Sequence, residues 1–324
     1  MDYLLNKILR NFQKRNERLS THYILSTAIM GFSSIILAVA SFNTLPWLTF
    51  LMYPIIFIFL CRSVVLLHDA GHNALYKEKW KNSLAGNLMG LINLIPNELF
   101  SFMHNMHHSA VGNLDKRHLN PELKTLTTKE YQAASFFQKM NYRFMRSAFT
   151  RLVLTPLAMF VVTRVPLPKL RLKDKLFVLA YDVLIAGILI LAFKYGFFLS
   201  LLIGFFVPLF ACYILVSVVF YLQHQFEDTH WSKNENWNST EASLQGSSFL
   251  IFGRFMNKVT CNIGYHHIHH LNSRIPCYNL EKAHIEIKND ISFKEVRVSQ
   301  VFNHMRMKLW DEDKKKLVPF KSIK

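Results

Sequence analysis

Three stretches of this chain, Tyr23–Ala40, Leu45–Cys61 and Phe197–Leu222, carry no charged residue, and a fourth, Leu176–Phe193, carries only Asp182. A helix rises about 1.5 Å per residue and the hydrocarbon layer is about 30 Å thick, so runs of this length are read as membrane crossings. SFNT separates the first two runs and Lys194-Tyr195-Gly196 the last two, which makes two hairpins. Lys7, Arg10, Lys14, Arg15 and Arg18 precede the first run against Asp2 and Glu17, and no small-residue cleavage site follows it. The loops inside the hairpins carry almost no charge, whereas the other segments hold most of the Lys and Arg. The positive-inside bias then puts residues 1–22, 62–175 and 223–324 in the cytoplasm. The expected architecture is an all-α integral membrane protein, one domain over 1–324. It has four transmembrane helices in two hairpins (23–40, 45–61, 176–193, 197–222) under a cytoplasmic, histidine-rich cap.

Composition excludes some alternatives. The chain is 51% hydrophobic with a net charge of +17, and its mean hydropathy of +0.15 is too high for an ordinary soluble domain. Such a charge suits nucleic acid or an anionic membrane face. No paired Cys/His finger or aromatic RNA-binding motif is present, which leaves the membrane. Cys61, Cys212, Cys261 and Cys277 are scattered without a C-x-x-C, as expected of buried small hydrophobes in a reducing compartment. Leu84–Phe102 and Leu152–Val165 are shorter apolar pieces broken by Pro or polar residues, and read as interfacial or re-entrant helices. The Lys-rich tail from Asp311 reads as a solvated or lipid-headgroup-binding end.

The chemistry lies in the histidines. His266, His269 and His270 form H-x-x-H-H; His104, His107 and His108 repeat it; His68 and His72 lie one helical turn apart. Residues three and four apart share a helix face, so each group is part of a metal cage. His224 in YLQHQFED is a ninth candidate. His22, His118, His230, His284 and His304 have no spacing that recommends them. A lone histidine on an apolar face is more often a satisfied core residue, but neutral imidazoles crowded together gain little unless a cation joins them. Imidazole suits Zn, Cu, Ni and Fe, and no box contains the paired thiolates of a structural zinc site. Eight or nine nitrogens are too many for one ion. Two ions of four to five ligands each, with open positions, fit the count, and iron is the one suited to activating oxygen. Asp69, Glu227 and Asp228 are candidates to accept the far N–H of ligating imidazoles, and Asn262 to hold a water nearby. His267 points to another helix face and is expected to support the site or the fold.

LHDAGHN (67–73), HNMHHSAVGNLDKR (104–117), YLQHQFEDTHW (221–231), LQGSSF (244–249) and NIGYHHIHHLNSRIPCYNL (262–280) together resemble the membrane-bound fatty acid desaturases of the di-iron, histidine-box superfamily. The resemblance covers nearly the whole chain. The first box has Ala70 where the family often has Cys, a non-ligand position. The stretch Asn272–Pro276 is more similar to the bacterial and cyanobacterial acyl-lipid branch than to the acyl-CoA branch.

That likeness implies His68, His72, His104, His107, His108, His266, His269 and His270 as ligands of two irons, with His224 as a ninth. It implies O2 as co-substrate, removal of hydrogen from two neighbouring methylenes of a membrane lipid or acyl-lipid chain, and a cis double bond. The electrons come from outside, because the chain shows neither a Gly-rich dinucleotide fingerprint nor a haem-binding domain; a separate ferredoxin- or cytochrome-like donor is expected. A dry, narrow channel lined by the spans and Leu84–Phe102 is needed to choose among identical methylenes. A hydroxylase, ketolase or alkane monooxygenase of the same superfamily is the nearest rival. A membrane metal-binding or transport protein is a rival of another class, and it predicts ionisable groups within the spans.

Overall fold

The computed structural model describes residues 2–119 and 124–323. Among the described residues, four helices are long and apolar enough to cross a membrane: Glu17–Ser41, Pro46–Gly71, Leu172–Lys194 and Phe198–His224. Each outruns the apolar stretch that announced it, because polar turns keep their helical hydrogen bonds after leaving hydrocarbon. Asn16 caps the first, its side chain accepting from Leu19 N at 3.1 Å. Pro46 opens the second, where its missing N–H costs nothing. At 26 residues that helix is about 39 Å long, so its C-terminal turns, with His68, rise beyond a 30 Å core.

Small residues let the helices approach. Ala28, Gly31, Ser34, Ala38 and Ser41 form a buried stripe on the first span, which packs on the second, and the second packs on the helix Lys79–Asn93 and on the fourth span. Thr49 bridges the first hairpin, donating to Ala38 O at 2.8 Å with Ser41 Oγ 3.0 Å away. Asp182, the one charge within the four long apolar runs, pairs with Arg164 at 3.2 Å. An Asp with a cation from a neighbouring segment is a structural pair, not the file of ionisable groups that transport requires.

Leu84–Phe102 divides between two helices, Lys79–Asn93 and Asn97–Ala110. Leu94, at φ +54°, closes the first, and Pro96 launches the second. Gly90 lies against Ile95 O at this corner, where a Cβ has no room. Gly90→Ala is therefore expected to cost on the order of 1–3 kcal/mol of stability and to tilt the helix that carries His104–His108. A fluorescence melting curve on purified protein checks this; an unchanged midpoint would refute it. Phe136–Met145 and Thr150–Val162 meet at 55°. Phe144, Met145, Phe149 and Leu152 around the bend are exposed, as an interfacial or re-entrant path requires.

Among the described residues the cap also contains two small sheets. Ser248–Ile251 runs parallel to Lys294–Arg297; Leu126–Thr127 runs parallel to Leu309–Asp311, which pairs antiparallel with Lys316–Val318. Strands of two to four residues leave no alternation to read in a sequence. The tail is accordingly not the solvated end its lysines suggested. Leu309, Trp310, Leu317 and Val318 are buried, and Lys314 and Lys315 sit at the exposed turn between the strands.

Candidate metal centre

Four elements bring the histidines together. His68 lies in the last turns of the second span and His72 just past it; His104, His107 and His108 lie on Asn97–Ala110; His224 ends the fourth span; His266, His269 and His270 lie on the short helix His266–Leu271. All nine join one of two groups whose ligand atoms lie within 4.8 Å of one another. One holds His68, His72, His104, His108 and His269; the other holds His107, His224, His266 and His270.

Helix geometry explains the partition. On a helix, i+4 lies about 40° round from i, and i+3 about 60° round in the opposite sense. The i and i+4 members of each H-x-x-H-H box therefore face one group and the i+3 or adjacent member the other. The middle box sends His104 and His108 to the first group and His107 to the second. The last box does the converse, sending His266 and His270 to the second and His269 to the first. His68 and His72 complete the larger group and His224 the smaller.

The nitrogens converge as ligands do. Nε2 of His108 lies 3.0 Å from Nε2 of His104 and 2.9 Å from Nε2 of His269; Nε2 of His266 lies 3.0 Å from Nε2 of both His224 and His270. One imidazole nitrogen is either a donor or a single-lone-pair acceptor, so it cannot satisfy two such neighbours by hydrogen bonding. Around a cation with bonds of about 2.1 Å, adjacent ligands at right angles stand about 3.0 Å apart. Nε2 of His68 and of His72 are buried without a hydrogen-bond partner. Burial first, and neighbouring imidazoles second, hold His72, His104, His108, His266, His269 and His270 well below the ordinary imidazole pKa. They are neutral at pH 7, with lone pairs free for a metal. The donor set fits two metal ions.

Outer partners fix the rings. His68 Nδ1 faces Asp69 Oδ1 at 3.2 Å, and Asp69 Oδ2 accepts from Cys277 N at 2.7 Å, which ties the first box to the segment after the last. His224 Nδ1 lies 3.1 Å from Gly246 O, an acceptor only, so the Nδ1 proton points there and Nε2 is left toward His266. The sequence named Asp69 but not Gly246, although LQGSSF stood among the matching stretches; a backbone acceptor has no residue type to betray it. The other expected supports lie elsewhere. Glu227 accepts from Lys316 Nζ at 2.9 Å, and Asp228 lines a surface cleft with Thr229 and His230; neither joins the histidine groups. Asn262 donates to Cys277 O at 3.2 Å from a left-handed backbone, φ +61°. His267 turns away and sets Nε2 3.1 Å from Nδ1 of His284, with Phe293 stacked on its ring. His284 thus has a partner that no spacing rule could reveal. Phe100 stacks on His104, and Phe220 lies against His107 and His224, so aromatic walls border both groups. The four cysteines are all buried and free.

Known proteins are similar to this chain over most of its length. The profile of the fatty acid desaturase family matches residues 42–302. A "Fatty acid desaturase" of Bacillus subtilis (strain 168) is 33% identical, over 99% of this chain and 91% of its own. An "sn-1 oleoyl-lipid 12-desaturase" of Anabaena variabilis is 25% identical over 86% and 79%. An "sn-1 acyl-lipid omega-3 desaturase (ferredoxin)" of Nostoc sp. (strain 36) is 28% identical over 69% and 63%. With two converging sets of imidazoles beside four apolar helices, and a match over most of its length, the chain belongs to the fatty acid desaturase family and is a membrane enzyme of that kind.

Proposed function

We propose that this enzyme introduces a cis double bond into a lipid-borne acyl chain, with O2 as co-substrate, at two irons. His68, His72, His104, His108 and His269 hold one iron, and His107, His224, His266 and His270 the other. The observation that carries this reading is the convergence of Nε2 atoms at 2.9–3.0 Å in both groups. Iron is preferred because an all-imidazole set with open positions and no thiolate suits oxygen activation. When bound, the irons supply the oxidising power that removes hydrogen from two neighbouring methylenes.

The protein's own residues do the rest. Asp69 and the Gly246 carbonyl set the tautomers of His68 and His224, so that lone pairs face inward without rearrangement. Phe100 and Phe220 present apolar faces beside the ligands, which keeps water from the site and suits an unactivated chain. The lipid substrate is supported by the relatives from Anabaena variabilis and Nostoc, whose names specify sn-1 acyl lipids. An external carrier is required: reducing O2 to two waters takes four electrons, and the substrate yields two. The Nostoc relative's name points to ferredoxin. The cytoplasmic placement of the centre is supported by the excess of Lys and Arg outside the hairpin loops.

Expression in a desaturase-deficient bacterium, followed by gas chromatography–mass spectrometry of total fatty acids, tests the reading. New cis-monoene or diene peaks are expected. Hydroxylated acids, or no new product with iron and a working donor present, would overturn it.

A further inference from the structure

A cleft of about 550 Å3 opens on the cap, and two of the metal-facing histidines, His108 and His270, form part of its lining. Their rings stack at 4.2 Å and 23°. They belong to different groups, His108 to the five-membered one and His270 to the four-membered one; both stay partly exposed, as does His104, while His68, His72, His107, His224, His266 and His269 are buried. Electrons delivered here meet both metal positions through one imidazole each.

Most of the remaining lining is polar or basic, with Val111, Ala242 and Leu271 as its apolar members. Arg10 comes from the N-terminal helix, and Asn272, Ser273 and Arg274 follow the last box; Trp237 and Ser239 complete the rim, and no lining residue is acidic. Arg10 and Arg274 are exposed. Trp237 is fixed by donating Nε1 to Val111 O at 2.9 Å, and Lys116 lies over its ring at 5.5 Å. Gln13 Nε2 donates to Asn272 Oδ1 at 2.9 Å, so the N-terminal segment is pinned to the loop that closes the cleft. The larger cleft nearby differs: Asp228, Glu241 and Asp290 line it alongside Lys294 and Lys315, and no metal-facing histidine reaches it.

We propose that the His108/His270 cleft is the docking site of a small acidic electron-transfer protein, whose carboxylates pair with Arg10 and Arg274 and whose redox group comes to rest over the two histidine edges. The proposal rests on the desaturase reading and adds the place and chemistry of its partner. Two electrons pass inward, one from each of two successive encounters with a one-electron carrier. With two protons from solvent and the two hydrogens of the substrate they reduce O2 to two waters, while the –CH2–CH2– unit becomes –CH=CH–. A cleft lined by two exposed arginines and no carboxylate favours an acidic partner through encounter rate and register, and salt weakens that preference.

The test uses the full chain in lipid nanodiscs. Binding of a plant-type [2Fe–2S] ferredoxin is measured by biolayer interferometry at low and high salt. Separately, dithionite-reduced enzyme is mixed with O2 and acyl lipid for a single turnover. For Arg10→Glu/Arg274→Glu we expect at least about a tenfold rise in Kd at low salt and a flattened salt response. Arg10→Lys/Arg274→Lys should bind near the wild-type level, and single turnover should be unchanged in both. A charge-reversed variant that binds ferredoxin like wild type, or a wild type that does not bind it, overturns the proposal. So does a charge-reversed variant whose dithionite-driven turnover falls with its binding, because the cleft would then serve the lipid. Failure of the desaturase reading is distinguishable: wild type would bind ferredoxin with the expected salt dependence yet form no unsaturated product after dithionite.

Discussion

His269→Ala is expected to reduce unsaturated product below detection and to lower bound iron, whereas His267→Ala, two residues earlier and equally buried, is expected to keep its iron. Both side chains have no exposed surface. They differ in direction. His269 places Nε2 2.9 Å from Nε2 of His108 and its ring 4.1 Å from that of His68, inside the five-membered group. His267 points toward His284 and Phe293. Removing His269 takes a nitrogen from the group to which it is the last box's sole contribution, and it leaves a polar cavity between the helices that carry that group. Removing His267 leaves His284 without its imidazole partner, at a cost of about 1–3 kcal/mol, but leaves every metal-facing nitrogen in place. Iron by inductively coupled plasma mass spectrometry, fatty acids by gas chromatography and membrane abundance by immunoblot separate the two. Abundant His269→Ala protein that still makes product would show that the ligand set is misassigned. Equal iron loss in both variants would show that the helix, not the ligand, had been lost.

Much of this centre was legible because its code is local. A five-residue H-x-x-H-H box on a helix states its own geometry, and four apolar runs state their own environment, so eight of the nine converging histidines and the four long helices follow from spacing and hydropathy, while His224, in no box, rested on the family likeness. Spacing could not say which box member serves which group, because that depends on how the helices Asn97–Ala110 and His266–Leu271 face each other across the cap. The supporting residues were legible only where they are sequence neighbours of a ligand. Asp69 adjoins His68 and meets it; Glu227 and Asp228, three and four residues past His224, are carried away as the chain leaves the span, and Glu227 reaches Lys316 in the C-terminal hairpin. That hairpin was itself hidden, since a Lys-rich sequence reads as solvated until Trp310 with Leu317, and Leu309 with Val318, are seen to bury its two opposite faces. Long-range backbone contacts such as Cys277 N to Asp69 leave no trace in residue type.

Asp69→Asn, a change of one oxygen to nitrogen, is expected to lower desaturation and iron affinity by about 10–100-fold. Asp69 is fully buried and accepts on both oxygens: His68 Nδ1 stands 3.2 Å from Oδ1, and Cys277 N donates to Oδ2 at 2.7 Å. Asparagine has only one accepting atom. If its oxygen keeps the Cys277 N–H, its NH2 faces Nδ1 of His68, and two donors cannot meet. The imidazole then shifts its proton to Nε2, the atom that stands buried and unpartnered toward the metal group, and the lone pair a metal needs is gone. If the amide turns the other way, the Cys277 N–H is orphaned and the segment joining the last box to Cys277–Ile287 loosens, at a cost of about 1–3 kcal/mol. Either arrangement damages the site, by tautomer or by position. Iron content at fixed free iron, with single-turnover product formation, checks the size of the loss. A melting curve then tells the two routes apart, because the first lowers metal binding with the fold intact and the second lowers both. A variant that retains full iron and full activity would show that Asp69 secures the chain after the last box and nothing about His68.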